Sequence, residues 1–150
     1  MANTILDAAE KRMRTHGYNG VSFRDLASDT EIKSASVHYH FPRKEDLAVA
    51  LVERYGRIFF EQLERRAANA KGAKARLKAI GDVYRAALSA GEAHCLCGML
   101  GAESAGLPAV VTDAVGKFFD ANIAGVKTAL GGAGTPASRE RFAISAISSL

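Results

Sequence analysis

Tryptophan is absent, and only two cysteines, Cys95 and Cys97, and three prolines occur in 150 residues. Two cysteines cannot build a disulfide framework, so stability must come from a packed core. No apolar run approaches the roughly 18 residues of a membrane span. Met1 to Ile5 lacks the cationic start and apolar stretch of a secretory signal, so a reducing cytoplasm is the expected compartment. Neither sign of charge dominates, with a formal net charge of only +4. What is present is a chain 48% apolar and 24% charged, the balance of a globular protein with a real core. Disorder, collagen, membrane spans and disulfide-rich folds are excluded, and function is left open.

The distribution of charge says more than its total. Residues 1–47 hold seven Lys/Arg and seven Asp/Glu, residues 48–80 eight against three, and residues 81–150 five against six. Inside the balanced first third, Ile32 to Lys44 carries Lys33, His38, His40, Arg43 and Lys44 with no acid. A cationic stretch interleaved with polar and aromatic residues suits contact with nucleic acid. The cluster Arg65, Arg66, Lys71, Lys74, Arg76 and Lys78 reads instead as a solvated surface.

Apolar spacing is helical nearly throughout and nowhere alternates with period two, which predicts an all-α fold. Asn3 is the expected N-cap of a first helix with Ile5, Ala8, Ala9 and Met13 on one face, stopped by Gly17. Ser22 begins a short second helix with Phe23, Leu26 and Ala27 inward and Arg24 and Asp25 outward. Asp29-Thr30-Glu31 forms a tight connection. A third helix covers Ile32 to Phe41, ended by Pro42, which disfavours helical backbone at the residue before it. A longer helix from Lys44 carries Leu47, Leu51, Tyr55, Ile58/Phe59 and Leu63 as its stripe and frays near Lys71-Gly72. The next carries Leu77, Ile80, Tyr84 and Leu88 to Gly91. The Gly- and Ala-rich stretch Cys95 to Gly106 is expected to form a short, closely packed helix. Pro108 starts another, with Val111, Val115, Phe118, Asn122, Val126 and Leu130 on one side. Gly131 to Pro136 is a loop, and Ser138 opens a last helix cut off at Leu150.

Two short helices joined tightly and packed on a preceding one form the minimal reader of a DNA major groove. Such a helix must expose small or polar residues toward base edges and bury bulky ones behind. A helical wheel buries Val37 and Phe41 and turns Ala35, Ser36, His38 and Tyr39 outward. The runs Val21-Ser22-Phe23-Arg24-Asp25-Leu26-Ala27 and Ile32-Lys33-Ser34-Ala35-Ser36-Val37-His38-Tyr39-His40-Phe41-Pro42-Arg43-Lys44-Glu45-Asp46-Leu47 resemble the DNA-binding domain of TetR/AcrR-family transcriptional regulators over about residues 3–50. Within that family, His94-Cys95-Leu96-Cys97-Gly98 through Ala102-Glu103, with Leu107-Pro108, is similar to the central region of the LmrA/YxaF-like group.

The resemblance implies a three-helix helix-turn-helix domain in residues 1–47. Residues 48–150 then form a helical ligand-binding and dimerisation bundle, cut short at its C-terminus. It further implies a homodimer on a partly palindromic double-stranded operator, released by a small-molecule inducer. Carried over by position, Arg24 reaches a base edge, and Lys33, Ser34, Ala35, Ser36 and Tyr39 occupy the groove. Ser22, His38, His40 and Lys44 hold phosphates. Where the family has Gly in the turn, this chain has Glu31.

A sensor cavity is lined with apolar residues and a few polar ones. Tyr55, Phe59, Tyr84, Leu88, Met99, Phe118, Phe119 and Asn122 are candidates, although aromatics at helical spacing equally fill a core. A buried Asn122 amide requires a partner, either a ligand or a backbone carbonyl. Cys95 and Cys97 offer an alternative, a thiol sensor of oxidants or electrophiles, against the plainer reading of unreactive cysteines in a close helix contact. The remaining histidines lie in the first 47 residues, so no metal site is expected. No nucleophile-base set is visible, and Gly131 to Gly134 lacks the strand and lysine of a phosphate loop. Neither catalysis nor a cofactor is expected.

Overall fold

The computed structural model describes residues 1–89, 94–132 and 134–148. Every regular element among them is helical: α1 Ala2–His16, α2 Phe23–Asp29, α3 Ser34–His40, α4 Lys44–Ala67, α5 Gly72–Ser89, α6 Leu96–Ala102, α7 Ala109–Leu130 and α8 Pro136–Ser148, with a single 3-10 turn at Ser104–Gly106. The chain divides into two compact units, Met1–Tyr55 with Gly91–Val115, and Gly56–Ala90 with Gly116–Leu150. The first unit takes in Gly91–Val115 because α6 packs on α1.

In the first unit, α1 packs on α2, α3 and α6, and α2 packs on α3. Ile5, Ala9, Met13, Leu26, Val37, Leu47, Leu51, Leu96, Leu100 and Val111 are wholly buried. The larger of these each contribute about 1.5–3 kcal/mol by leaving water. That burial is essential for α2 and α3, whose seven residues each are too few for an isolated helix. Ion pairs tie the helices together at the surface. Arg12 pairs with Asp29 across α1 and α2, and Arg54 on α4 bridges Asp7 at 2.7 Å and Glu10 at 3.0 Å on α1.

The second unit is built on aromatic contacts. The Phe59 ring meets Tyr84 at 4.9 Å and Phe118 at 5.4 Å between centroids, both edge-on. This is the geometry that sets a positive ring edge against a negative face. Ile80, Val83, Val126, Ala129 and Ala143 are also buried there, and a Lys127–Glu140 pair joins α7 to α8.

Several boundaries differ from the sequence expectation. Asn3 lies inside α1, and Met1 holds the cap position, its carbonyl accepting the Ile5 N–H at 3.1 Å. The third helix begins at Ser34 rather than Ile32, because Ile32 closes the end of α2. The last helix starts at Pro136 rather than Ser138. The Thr135 hydroxyl accepts the Ser138 N–H at 3.1 Å, an N-cap three residues ahead of Ser138. The long helix from Lys44 stops at Ala67, ahead of the expected fraying point, and Gly72 opens α5 with φ +81°. Phe23 is half-buried against His38 rather than in the core. Ile58, at 42%, and Leu88, at 39%, are exposed. The expected helix end at Gly91, the loop residue Ala133 and the terminal Leu150 lie outside the described residues.

Candidate nucleic-acid interface

The start of α2 is fixed by a reciprocal cap. The Ser22 hydroxyl accepts the Asp25 N–H at 3.2 Å, while Asp25 Oδ2 accepts the Ser22 N–H at 3.1 Å and its hydroxyl at 2.6 Å. Two otherwise unsatisfied amides are thereby paired. The bonds from Ser22 favour the ionised form, holding the Asp25 carboxyl below its ordinary pKa. Beside this cap, Arg24 is exposed.

The turn into α3 completes a helix-terminating motif that satisfies the last carbonyls of α2. The Ile32 N–H reaches Ala27 O at 3.0 Å and the Glu31 N–H reaches Ser28 O at 3.3 Å. Its left-handed position, normally glycine, is occupied by Glu31 at φ +55°, a non-glycine conformation costing roughly 1–2 kcal/mol. The fold accepts that cost because α2 and α3 are held by burial of Leu26 and Val37 on either side of the turn.

Val37 faces inward with no exposure, and Phe41 is 8% exposed in extended backbone at φ −134°, as Pro42 demands. Helical register then turns the remaining residues outward. Lys33, Ser34, Ala35, His38 and Tyr39 are exposed, and Ser36 and His40 are half-buried. Tyr39 reaches 83% exposure, and its ring lies 5.3 Å from that of His40. The His38 ring stands 4.6 Å from Phe23, edge-on, linking α3 to α2. The Arg43 guanidinium grips Asp46 through Nε at 3.0 Å and Nη2 at 2.7 Å, so it braces the start of α4.

Lys44 begins α4, with Nζ 4.4 Å from the Tyr18 ring centroid. Burial lowers its ammonium pKa below the ordinary lysine value, while the charges of Glu103 and Asp25 pull it upward. The interface residues anticipated from sequence thus all lie in one unit, on α2, α3 and the head of α4. The supporting residues Arg12, Arg54 and Glu103 carried no local signal, because their partners are distant in sequence.

The anticipated sensor residues are not one group. Phe59, Tyr84 and Phe118 meet in the second unit. There the buried Asn122 amide donates to Phe118 O at 2.8 Å, so its partner is a backbone carbonyl. Phe119 is half-buried, its ring 5.5 Å from Phe118. Tyr55 and Met99 belong to the first unit. The Tyr55 hydroxyl lies 3.4 Å from Cys95 Sγ, and burial drives its pKa far upward. Cys97 is wholly buried and its thiol pKa is likewise raised by burial, the opposite of the lowered value a thiol sensor needs. An open groove of about 730 Å³ runs elsewhere, along α1, beside Thr4, Lys11, Thr15 and His16.

Among the described residues no His/Cys/Asp/Glu cluster has the makings of a metal site, and no helix is long and apolar enough to cross a membrane. Residues 5–51 match the family described as bacterial regulatory proteins, tetR family. No curated protein matches the chain. Among solved structures, a TetR transcriptional regulator from Legionella pneumophila is 32% identical, with 97% of this chain and 80% of that one covered at a TM-score of 0.91. A TetR-family regulator from Agrobacterium tumefaciens is 25% identical over 95% and 79% of the two chains, at 0.86. AibR, solved with isovaleryl coenzyme A and operator DNA, shares the fold at 20% identity, 98% and 82% coverage and 0.78. An exposed, small-sided α3 braced behind by Val37, together with these likenesses, leads to one conclusion: the chain belongs to the TetR family of transcriptional regulators.

Proposed function

We propose that the protein is a repressor that occupies a partly palindromic operator as a homodimer and leaves it when a small molecule binds its helical regulatory region. The observation that carries this reading is the outward face of α3, where Ser34, Ala35 and Tyr39 are open while Val37 is closed. The major groove, about 12 Å wide, admits one such helix. Arg24 has the five-donor fork for bidentate contact with guanine, and Lys33, Ser34, Ala35, Ser36 and Tyr39 enter the groove. His38, His40 and Lys44 hold phosphates. Ser22 joins them after exchanging its bond to Asp25 for one to phosphate.

Residues 1–47 act as the DNA-binding domain and 48–150 as the regulatory domain, with a central region of the LmrA/YxaF-like type. Exposed Phe142 and Ile144 on α8 suit a second copy of the chain. The two reading heads then sit about 34 Å apart, one turn of duplex. Phe59, Tyr84, Phe118 and Asn122 are the regulatory residues of choice. AibR, of the same fold, has been solved with both an acyl coenzyme A and operator DNA, so the architecture accommodates both kinds of partner. An inducer acts by binding the DNA-free arrangement more tightly than the bound one. The protein works in the cytoplasm, on DNA, without catalysis or a cofactor. The raised thiol pKa of Cys97 gives the thiol-sensor alternative no support, and Cys95→Ser/Cys97→Ser is expected to respond to inducer unchanged.

The test is a gel shift with duplex from the protein's own promoter region. Affinity is expected to fall about 10³-fold or more between 50 and 200 mM salt for six or more phosphate contacts. Salt-independent binding, or equal binding to unrelated duplex, overturns the reading.

A further inference from the structure

The residues after Cys95 reach back to the turn that follows α1. Glu103 ends α6, and its Oε2 accepts the Tyr18 backbone N–H at 2.7 Å. The carboxylate lies so close over Gly17 that a Cβ there would stand 1.9 Å from Oε1 and 2.5 Å from Cδ. Gly17 also holds φ at +71°. The backbone favours glycine at this turn, and a side chain there would have to displace the Glu103 carboxylate seated on it. Tyr18 is only 7% exposed, and its ring is the face on which the Lys44 ammonium rests. Arg14, itself 5% exposed, fastens the same segment by donating Nε to His94 O at 2.8 Å. Contact thus runs from Glu103 through the Tyr18 amide and ring to Lys44.

We propose that Glu103 is a positioning residue for DNA recognition, holding the Gly17–Tyr18 turn so that Lys44 is presented to phosphate. The affinity readout rests on the DNA-binding reading above; a second readout does not. The hydrogen bond, rather than the negative charge, performs the task, because a carboxylate near a phosphate-binding lysine by itself repels phosphate. Glu103→Gln keeps an oxygen for the Tyr18 N–H, whereas Glu103→Ala removes it.

The chain is titrated against promoter duplex by fluorescence anisotropy, and amide exchange at Tyr18 is followed by NMR without DNA. Glu103→Ala is expected to weaken binding about tenfold and speed Tyr18 exchange by at least that factor, with Glu103→Gln within about threefold of wild type in both. In a Lys44→Ala background, Glu103→Ala is expected to change affinity less than about threefold, since both act at one contact. Equal losses from Gln and Ala, wild-type affinity in Glu103→Ala, or additive losses with Lys44→Ala each overturn the proposal. Should Glu103→Ala fail to fold, Tyr18→Leu carries the test: it keeps the amide but removes the ring beneath Lys44, and unchanged affinity refutes the assignment. If the wild-type chain leaves promoter duplex unbound at low salt, the DNA-binding reading fails instead. The recognition role then falls with it, and the positioning of Lys44 by Glu103 is decided without DNA: faster Tyr18 exchange with displaced Lys44 resonances in Glu103→Ala sustains it, and their constancy overturns it.

Discussion

The reading surface and the aromatic cluster of the second unit are assembled in opposite ways. The first is drawn from neighbours in sequence, Ser22 to Lys44, and gives its best side chains to water: Tyr39 is 83% exposed while Val37 behind it is closed. The second gathers Phe59, Tyr84 and Phe118 from three helices and leaves them 4–5% exposed. A surface that leaves Tyr39 open to water holds back apolar area that would otherwise stabilise the fold. A cluster made of packed rings does the reverse. Substitutions should therefore separate binding from stability according to region.

The largest effect is expected at Phe118, which touches Phe59, Phe60 and Phe119. Phe118→Ala should cost about 3–5 kcal/mol in urea unfolding, through lost burial and the cavity left behind. A loss below 1 kcal/mol, by the same principle, shows that the cluster repacks freely. Tyr39→Ala should instead leave stability within about 0.5 kcal/mol yet weaken operator binding about tenfold, equivalent to one base contact. Parallel loss of stability and affinity breaks the distinction between regions.

Smaller effects test the local devices of the reading unit. Ser22→Ala removes the reciprocal cap on α2 and should cost about 1 kcal/mol, read in thermal unfolding. Glu31→Gly relieves the left-handed strain at φ +55° and should stabilise by up to about 1 kcal/mol, less what the freer unfolded chain gains. Destabilisation there means that the Glu31 side chain has a role the turn does not require. The smallest effect concerns pH. The Asp25 carboxyl is depressed in the folded state, first by its bond from the Ser22 hydroxyl and then by that from the Ser22 N–H. Its contribution is therefore complete above the unfolded value near 3.8 and is lost as pH falls through the lower folded value. Asp25→Asn should lower stability at neutral pH and flatten the acid limb of a stability–pH curve, so that the two proteins converge as pH falls through the lower folded value.

Most of the reading surface was legible because its logic is local. The burial of Val37 and Phe41 and the exposure of Tyr39 follow from helical register, and the stop at Pro42 follows from backbone sterics. The shift of α3 from Ile32 to Ser34 was less legible. It depends on a turn in which Ile32 N–H bonds backward to Ala27, a choice between two hydrogen-bond partners that spacing cannot decide. The sensor residues were legible only as apolar stripes. Leu88 shares its helix face with Tyr84 yet is exposed, since a stripe marks which residues prefer burial, not how far the covering helix extends.

By itself the chain of residues determined a helical fold, the place and facing of the reading helix, and the family to which both belong. Periodicity, caps and prolines act over a few positions and are written in order. Tertiary structure alone decided that α6 packs on α1, that Glu103 seats on Gly17, that the Asn122 amide donates to Phe118 O, and that Cys97 is wholly buried. Those outcomes depend on which surfaces meet after the chain folds back. Contact energies between residues far apart in sequence leave no periodic trace along it.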